Sequence, residues 1–505
     1  MSSAADQSAE AAAGRVALPV LNGAAAGKGG MTGRSEKIRP SKSWPRRFAV
    51  LVIIHLLLIA HVIQWAITGT TTTPIEPSEA MELTKHGVIN VGVIFFGLAL
   101  LSTMLLGRWF CGWGCHLVLL QDGCAWVLKR LGISPKPFRS RLLIYIPLAL
   151  AIYMFIWPLI FRFGVAPLSE TLNARWDSVP VLHAGEWPGF SVQTTTQDFW
   201  KTFAGWAVAI PFLGICGFAT VYFLGSKGFC TYGCPYGGFF APLDSYAPLR
   251  IRVNDDCNQC GHCTAVCTSN VRVHEEVRDW GMVVDPGCMK HLDCVSVCPN
   301  NALSVGWGAP AVMKKGTGKA PNRARKRRYD LSIPEEIGLA ATFLVSFFAF
   351  RGLYTLIPML MAVGMALCST FILWKSYRLV RDRNVSFQRM RLRFHGRLTK
   401  WGWAFAAAGA IVLAFTLHSA VVQAAGTLGG WHDGKVRVSR DAVFSGQPFT
   451  LDEETQTNIA SALDAYRVAS FIGDGGIGLW GDPELEVRMA WMHASRQEYD
   501  EAERI

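Results

Sequence analysis

Charge is scarce in this 505-residue chain. Only 17% of its residues are Asp, Glu, Lys or Arg, while 51% are hydrophobic and the mean hydropathy is +0.25. Such a chain is too apolar to be simply soluble, so membrane spans are the first structure to expect. Residues 1–43 are rich in Ala, Gly and Ser and lack the apolar core of a signal peptide. We predict a disordered tail there, and expect the first apolar segment to stay in the membrane as an anchor.

Apolar stretches of about 20 residues recur along the chain, and each is long enough to cross ~30 Å of hydrocarbon as a helix. They lie at residues 48–67, 87–106, 142–160, 203–224, 353–374 and 401–422. A shorter seventh stretch, residues 337–350, is either a span or a buried helix. We predict a polytopic α-helical membrane protein of about seven spans, with four helices in residues 44–243 and three in residues 336–424.

Basic residues set the predicted orientation, because Lys and Arg beside spans are retained on the cytoplasmic side. Residues 108–141 hold six basic residues against one acid, and residues 375–400 hold nine against one. Seven spans put both segments inside and the polar tail, residues 425–505, outside. We interpret the basic linker, residues 309–335, as a solvated inside segment that touches anionic lipid rather than nucleic acid.

Two cysteine runs lie between the fourth and fifth predicted spans. The first has the C-x2-C-x2-C-x3-C spacing of a ferredoxin [4Fe-4S] site, at Cys257, Cys260, Cys263 and Cys267. The second run has Cys288, His291, Cys294 and Cys298. In two-cluster ferredoxins the fourth cysteine of each run binds the other cluster. Cluster one is therefore predicted at Cys257, Cys260, Cys263 and Cys298, and cluster two at Cys267, Cys288, Cys294 and whatever His291 provides. We predict an inserted two-cluster ferredoxin-like α+β domain at residues 244–308.

His291 stands where the second run should have its second thiolate, and three hypotheses follow. The imidazole ligates iron, or three cysteines hold a [3Fe-4S] centre, or the second site is empty. Exchanging a thiolate for a neutral imidazole removes negative charge and should raise the cluster's potential, as in Rieske centres. A second departure is nearby: Thr268 follows Cys267, whereas Pro299 follows Cys298 as in ferredoxins.

Four further cysteines form two C-x3-C pairs, each just past an apolar stretch. The segments Phe-Cys-Gly-Trp-Gly-Cys and Phe-Cys-Thr-Tyr-Gly-Cys contain Cys111, Cys115, Cys230 and Cys234 and indicate an internal duplication. If each pair begins a helical turn, its cysteines share a face, and the four thiolates could converge. Four soft ligands suit iron-sulfur or zinc, so we predict a metal site there, with an additional cluster favoured. Disulfides are not expected at a reducing cytoplasmic face. Without such spacing, Cys124, Cys216 and Cys368 are predicted to be packing residues.

Together these motifs resemble the membrane-bound polyferredoxins. That family includes the quinol-oxidising membrane subunit of periplasmic nitrate reductase, the nitrous-oxide reductase polyferredoxin and the copper-reducing accessory protein of cytochrome oxidase. Its pattern is two C-x3-C-P motifs beside transmembrane helices and then an eight-cysteine ferredoxin segment, found here over residues 48–307. Three departures are His116 in place of the first motif's proline, His291 in place of a cysteine, and no evident flavin-binding outer domain.

The resemblance implies electron transfer in a bacterial inner membrane, with the iron-sulfur domain cytoplasmic. Quinol is then the expected donor and a redox protein the expected partner. The alternatives are assembly of a metal cofactor, for example by copper reduction, and a redox-sensing scaffold.

Histidines in the apolar stretches raise one further alternative, a haem, since polar residues inside membranes are default functional candidates. His55 and His61 lie six residues apart, ~600° of helical turn, and so on opposite sides of the helix. We therefore predict that these two and His418 are interior or interfacial histidines with partners in the chain. For a quinone site, the polar groups near span ends are His86, Arg108 and Arg162.

The polar tail is predicted to be helical at residues 452–470 and 483–505. Its last segment resembles part of a tetratricopeptide repeat. A single repeat unit cannot bury its own apolar face, so two alternatives follow: the tail docks on a partner, or the chain is truncated.

Overall fold

The computed structural model describes residues 38–176, 181–185, 187, 189–199, 205–314, 316, 331–445 and 449–505. Most of the predicted disordered tail, residues 1–43, lies outside these ranges. So does most of the basic linker, residues 309–335. The predictions made for these two segments remain predictions.

The first half of the chain forms one helical region, because apolar runs alternate with glycine and proline. Its elements are α1 Ser43–Thr68, β1 Thr71–Thr72, α2 Met81–His86, β2 Val88–Ile89, α3 Val91–Leu106, α4 Trp109–Trp113, α5 His116–Arg130, α6 Leu143–Asn173, β3 Ser191–Val192, β4 Thr195–Thr196, α7 Trp206–Leu224, α8 Gly228–Tyr232 and α9 Pro235–Asp244.

The second half contains a small mixed segment, more long helices and a helical tail. Its elements are β5 Arg250–Val253, α10 His262–Ala265, α11 Val273–Trp280, α12 Asp293–Ser296, β6 Leu303–Gly306, α13 Ile333–Phe350, α14 Met359–Arg381, β7 Val385–Phe387, β8 Met390–Phe394, β9 Arg397–Leu398, α15 Lys400–Asp433, α16 Arg440–Phe444, α17 Glu453–Ala469, α18 Pro483–Ser495 and α19 Tyr499–Arg504.

Within the described ranges, six helices are long and apolar enough to cross a membrane: α1, α6, α7, α13, α14 and α15. The short seventh stretch of the sequence is part of one of them, because α13 begins earlier, behind a capping box of Ser332 and Glu335. The predicted second span is the short one, since α3 has 16 residues. These helices make the chain a polytopic helical membrane protein.

The prediction of a span over residues 353–374 is wrong at its start. Gly352 adopts a left-handed conformation with φ 70°, and Pro358 caps the following helix. Proline has no N–H and a fixed φ, so it suits the residues just before or at a helix start rather than its interior. As a result α14 begins at Met359 and extends to Arg381.

Connections between the long helices contact one another and the tail. Strand β1 pairs antiparallel with β4 and β2 pairs parallel with β3, which joins two distant connections. The Leu479 N–H donates to the Tyr354 hydroxyl at 2.8 Å, so the tail contacts the turn before α14. Ser41 Oγ donates to Asp293 Oδ1 at 2.5 Å, which joins the residues before α1 to α12.

The tail packs on α15, which is 34 residues long and therefore ~51 Å, longer than ~30 Å of hydrocarbon. Tyr466 of α17 donates its hydroxyl to Asp433 Oδ2 at 2.9 Å, and its ring lies against Gly429. Asp452 caps α17, close to the predicted start. Part of the apolar surface of the tail is thus covered by a helix of the same chain.

Residues 250–306 form a unit of two strands and three short helices. Strand β5 pairs antiparallel with β6, and α10, α11 and α12 lie between them in sequence. Its buried core combines Ile251, Val277 and Val283 with several of the cysteines. The two runs of cysteine are therefore on one small scaffold.

Candidate iron-sulfur sites

The two C-x3-C pairs adopt the same backbone conformation. Cys111 lies in α4 and Cys230 in α8, while Cys115 and Cys234 are the extended residues that precede α5 and α9. A glycine ends the short helix between the two cysteines in both units. The prediction that each pair shares a face of one helix is therefore wrong, whereas the duplication seen in sequence is present in structure.

The four cysteines of these pairs lie together in one cluster, in which Cys111 and Cys230 are buried and Cys115 and Cys234 are partly buried. Burial and the neighbouring thiols raise the pKa of Cys115 to about 12 and that of Cys234 to about 11. Thiols with such pKa values are neutral on their own and lose their protons when they bind a metal. The donor set, four sulfurs from two equivalent units, fits an iron-sulfur cluster.

Two buried cations accompany the four thiols. Arg108 is 4% exposed and hydrogen bonds the Cys111 side chain, and Lys227 is fully buried near Cys230. Lys227 Nζ also donates to Asp122 Oδ1 at 2.5 Å. A nearby positive charge favours the thiolate form of a cysteine. Arg108 and Lys227 each precede the Phe-Cys pair by the same interval, a repeat that the cysteine spacing alone does not reveal.

The first ferredoxin-type run contributes to a single pocket lined by Cys257, Cys260, Cys263 and Cys298. This is the set that the crossed ligand rule predicts for cluster one. Gln259 Nε2 donates to Cys257 Sγ at 3.3 Å, and the Ala302 N–H donates to Cys298 Sγ at 3.2 Å. Hydrogen bonds to sulfur stabilise the thiolate, so this pocket fits a bound cluster.

Cys267 of the first run lies close to Cys288 and Cys294 of the second run. Burial and the charge of Cys288 raise the pKa of Cys267 to about 12, and burial and the same neighbours raise the pKa of Cys294. Across the described residues, no three His, Cys, Asp or Glu side chains lie close enough to hold a single metal ion.

His291 is buried, and its two ring nitrogens have different surroundings. Nδ1 lies 3.0 Å from Thr268 Oγ1 and 3.4 Å from Ser269 Oγ. Nε2 is buried and has no hydrogen-bond partner among the described atoms. Burial and the charges of Arg47 and Lys227 lower the pKa of His291 far below its usual value, so the ring is neutral. A neutral imidazole with one nitrogen fixed and the other free can bind a metal.

The two cysteine runs have the same backbone conformation at equivalent positions. Left-handed residues occur at three equivalent pairs of positions: Gln259 and Lys290, Gly261 and Leu292, Asn270 and Asn301. His291 therefore occupies the place that Cys260 has in the first run, and Thr268 the place of Pro299. The sequence contains both departures, but only the structure shows that the two side chains touch.

The loop of the second run rests on the first C-x3-C unit. Trp113 Nε1 donates to the Lys290 carbonyl at 2.9 Å. A Cβ on Gly112 would overlap the Met289 carbonyl and lie 2.9 Å from His291 Cδ2, so only glycine fits there. The equivalent residue of the second unit is Thr231. Sequence reasoning did not single out Gly112, and its contrast with Thr231 is the signal that could have found it.

Hydrogen bonds to Asp244 also stabilise this contact between the loop of the second run and the first C-x3-C unit. The Oδ1 of Asp244 accepts from Lys290 Nζ at 2.9 Å and from the Arg108 N–H at 3.0 Å, and its Oδ2 accepts from Arg250 at 3.0 Å. All four residues are buried. One carboxylate thus ties the membrane region to both the second run and β5.

Known proteins resemble both halves of the duplication. The 4Fe-4S binding domain family matches residues 90–134 and again residues 205–250. Together with the relatives below, these matches support the membrane-bound polyferredoxin family, with 4Fe-4S clusters and iron-sulfur electron transfer.

The relatives of this chain share a low sequence identity with it. The methylamine utilization ferredoxin-type protein MauN of Methylorubrum extorquens is 23% identical over 46% of this chain and 73% of its own length. The ferredoxin-type protein NapH of Haemophilus influenzae is 25% identical over 40% of this chain and 63% of its own length. NapH of Escherichia coli is 24% identical over 46% of this chain and 75% of its own length. No solved structure matches the chain.

Two of the three histidines in the long apolar helices have a hydrogen-bond partner within the chain. His55 Nδ1 lies 2.7 Å from the Leu51 carbonyl, and His61 Nε2 lies 2.8 Å from Thr71 Oγ1. His418 differs, because its Nε2 is buried without a hydrogen-bond partner among the described atoms. Cys124, Cys216 and Cys368 are predicted from the sequence to be packing residues. All three are buried, and none of them forms a disulfide.

A cavity of about 730 Å³ lies beside the first C-x3-C pair, and Cys115 is part of its lining. None of the residues considered for a quinone site lines it. Arg108 faces the thiols instead, and Arg162 donates to the Lys85 carbonyl at 3.0 Å. The third, His86, is exposed. The three residues are therefore not brought together at one site.

Proposed function

We propose that this polyferredoxin carries electrons between quinol in the membrane and a redox protein, through three iron-sulfur centres. The membrane centre is held by Cys111, Cys115, Cys230 and Cys234. The first cluster is held by Cys257, Cys260, Cys263 and Cys298. The second cluster is held by Cys267, Cys288, Cys294 and His291.

The contact between the loop of the second run and the first C-x3-C unit carries this proposal. Because Gly112 has no side chain, the loop with Met289 and His291 lies directly against the unit that contains Cys111. Electrons at the membrane centre therefore have the second cluster as a close neighbour. The first cluster shares the small scaffold of the second, and Asn258 and Gln259 beside it are exposed. The order membrane centre, second cluster, first cluster thus leads from the membrane to a surface where a partner can bind.

Bound clusters supply one-electron redox centres, and the chain holds, shields and tunes them. Arg108 and Lys227 place positive charge beside the thiolates of the membrane centre. The repeated backbone of residues 250–306, with its paired strands and two cysteine loops, supports a ferredoxin-like domain.

His291 serves as the fourth ligand of the second cluster in this proposal. Metal-binding histidines commonly use one nitrogen for the metal and donate the other N–H to an oxygen, which orients the ring. Here Thr268 and Ser269 supply hydroxyl oxygens at Nδ1, and the buried Nε2 is left for iron.

For orientation we propose the iron-sulfur region on the cytoplasmic side of a bacterial inner membrane, with the tail outside. The excess of basic residues in residues 108–141 and 375–400 supports it. Reporter fusions after residue 316 and after residue 505 test it. The first should report the inside and the second the outside, and the opposite pair of results contradicts the proposal.

Quinol-dependent reduction of the clusters tests the function. The full chain is purified without oxygen, placed in lipid nanodiscs and mixed with decylubiquinol, and cluster bleaching is followed by absorbance. We expect bleaching in the wild type and in Cys368→Ser, a packing-cysteine control, but none in Cys111→Ser. Reduction by dithionite but not by quinol contradicts the donor. Copper reduction in place of quinol oxidation, lost in Cys230→Ala, would favour the alternative of cofactor assembly.

A further inference from the structure

The large cavity of about 730 Å³ has the size and character of a site for a lipid-soluble molecule. Ligand sites of ~300–1,000 Å³ are common, and they combine mostly apolar walls with a few polar groups. Here α1 provides apolar residues such as Ile54 and Leu58, and α3 and α7 provide Phe95 and Phe212. An isoprenoid chain is compatible with such walls.

Three polar residues of the cavity lining, Thr72, Glu76 and Ser78, come from the connection between α1 and α2. Glu76 is half-buried in the lining, and its carboxylate accepts a hydrogen bond from Ser78 Oγ at 2.9 Å. Ser78 in turn hydrogen bonds the buried Tyr236 hydroxyl. Glu76 lies close enough to Tyr236 and His116 for its charge to act on both. A carboxylate in an apolar wall, with hydroxyls beside it, is a proton acceptor within reach of a bound ligand.

The cavity also reaches the membrane centre, since Cys115 is part of its lining together with Gly114 and His116. A molecule bound there would touch a proton acceptor and lie directly beside an electron acceptor. A lipid acyl chain has no proton or electron to donate, so the carboxylate and the thiol would have no chemical role beside it.

We infer that this cavity binds the quinol headgroup and that Glu76 is the catalytic residue that takes its protons, an inference that rests on the proposed function. A cluster held by Cys111, Cys115, Cys230 and Cys234 would supply a one-electron acceptor for each of the two electrons of the quinol. The two O–H bonds of the quinol break, the carbon-oxygen bonds become carbonyls, and each proton passes in turn to the Glu76 carboxylate. Glu76 belongs to the connection between α1 and α2, and it releases the first proton to solvent before it takes the second.

Blocking the cavity tests the binding site without reference to turnover. Leu58 lines the cavity, whereas its neighbour Ile59 points away and is 54% exposed. Binding of oxidised decylubiquinone to the full chain in nanodiscs is measured by quenching of tryptophan fluorescence, since Trp109 and Trp113 line the cavity. We expect Leu58→Trp to weaken binding by about ten-fold or more and Ile59→Trp to leave it unchanged. Equal affinities for the two variants would overturn the site.

Neutralising the acid tests its role. We expect Glu76→Gln to bind decylubiquinone nearly as well as the wild type and to slow quinol-driven cluster bleaching by about 100-fold. Glu82→Gln, in the neighbouring α2 and outside the lining, is the control and should bleach at the wild-type rate. Dithionite should reduce the clusters of all three proteins equally, which shows that the clusters are intact.

The outcomes separate this inference from the proposed function. If quinol bleaches the wild type and Glu76→Gln is slowed no more than Glu82→Gln, Glu76 is not the acceptor and the proposed function stands. If dithionite bleaches the wild type and quinol does not, the quinol donor and this inference both fail.

Discussion

The first and second cysteine runs have left-handed residues at equivalent positions, yet they differ in two side chains that touch each other. In the crossed ligand sets predicted from the sequence, the first set has Cys260 and is followed by Pro299, whereas the second has His291 and is accompanied by Thr268. Proline has no hydroxyl that could hydrogen bond an imidazole. The threonine at position 268 and the histidine at position 291 are therefore linked departures from the ferredoxin pattern. The runs also differ in setting: residues beside the first are exposed, whereas Met289 and His291 are buried against the membrane region. In the proposed function this repeated backbone provides one cluster site that faces solvent and one that faces the membrane centre.

Removing equivalent cysteines should break this comparison most severely. Cys263 and Cys294 are at matching positions of the two runs and belong to different proposed clusters. We expect Cys263→Ser to abolish the EPR signal of the first cluster and Cys294→Ser that of the second, because each removes a ligand. Each variant should lose about four iron atoms per chain. Loss of the same signal in both variants would contradict the crossed ligand sets.

Exchanging the ligand at the variable position should shift a potential and keep the cluster. We expect His291→Cys to lower the potential of the second cluster by on the order of 100 mV, because a thiolate adds negative charge to it. The reciprocal Cys260→His should raise the potential of the first cluster. Redox titration followed by EPR measures both. Unchanged spectra, potential and iron content in His291→Cys would remove His291 from the ligand set.

Removing the hydroxyl that holds the ring should have a smaller effect. In Thr268→Val the imidazole loses its nearer oxygen at Nδ1, and we expect the second cluster to hold its iron about 10–100-fold more weakly. Thr268→Ser keeps the hydroxyl and is the matched control. Release of iron to a chelator, followed by the EPR signal of the second cluster, provides the measurement. Equal release from both variants would show that Thr268 does not position His291.

Sequence patterns predicted what depends on local spacing. The cysteine intervals identified both runs and the duplicated pairs, and the apolar stretches located all the long helices. Contacts between distant segments were beyond such patterns. The pairing of Thr268 with His291 joins residues 23 positions apart, and the fit of Gly112 under Met289 joins two regions of the fold. The helix break within each C-x3-C pair was missed because the spacing of i and i+4 is equally compatible with one continuous helix.

The smallest expected effect concerns the surface between the second run and the membrane centre. In Gly112→Ala the new methyl group overlaps the Met289 carbonyl, so the loop must move, at a cost of about 1–3 kcal/mol. Gly123→Ala is the control, because Gly123 is helical and a Cβ there meets nothing within 4 Å. We expect Gly112→Ala alone to lower the Tm and to slow reduction of the second cluster after the membrane centre is reduced, with both EPR signals retained. If reduction is as fast as in Gly123→Ala, electrons do not depend on this contact, and the order of centres proposed from it is wrong.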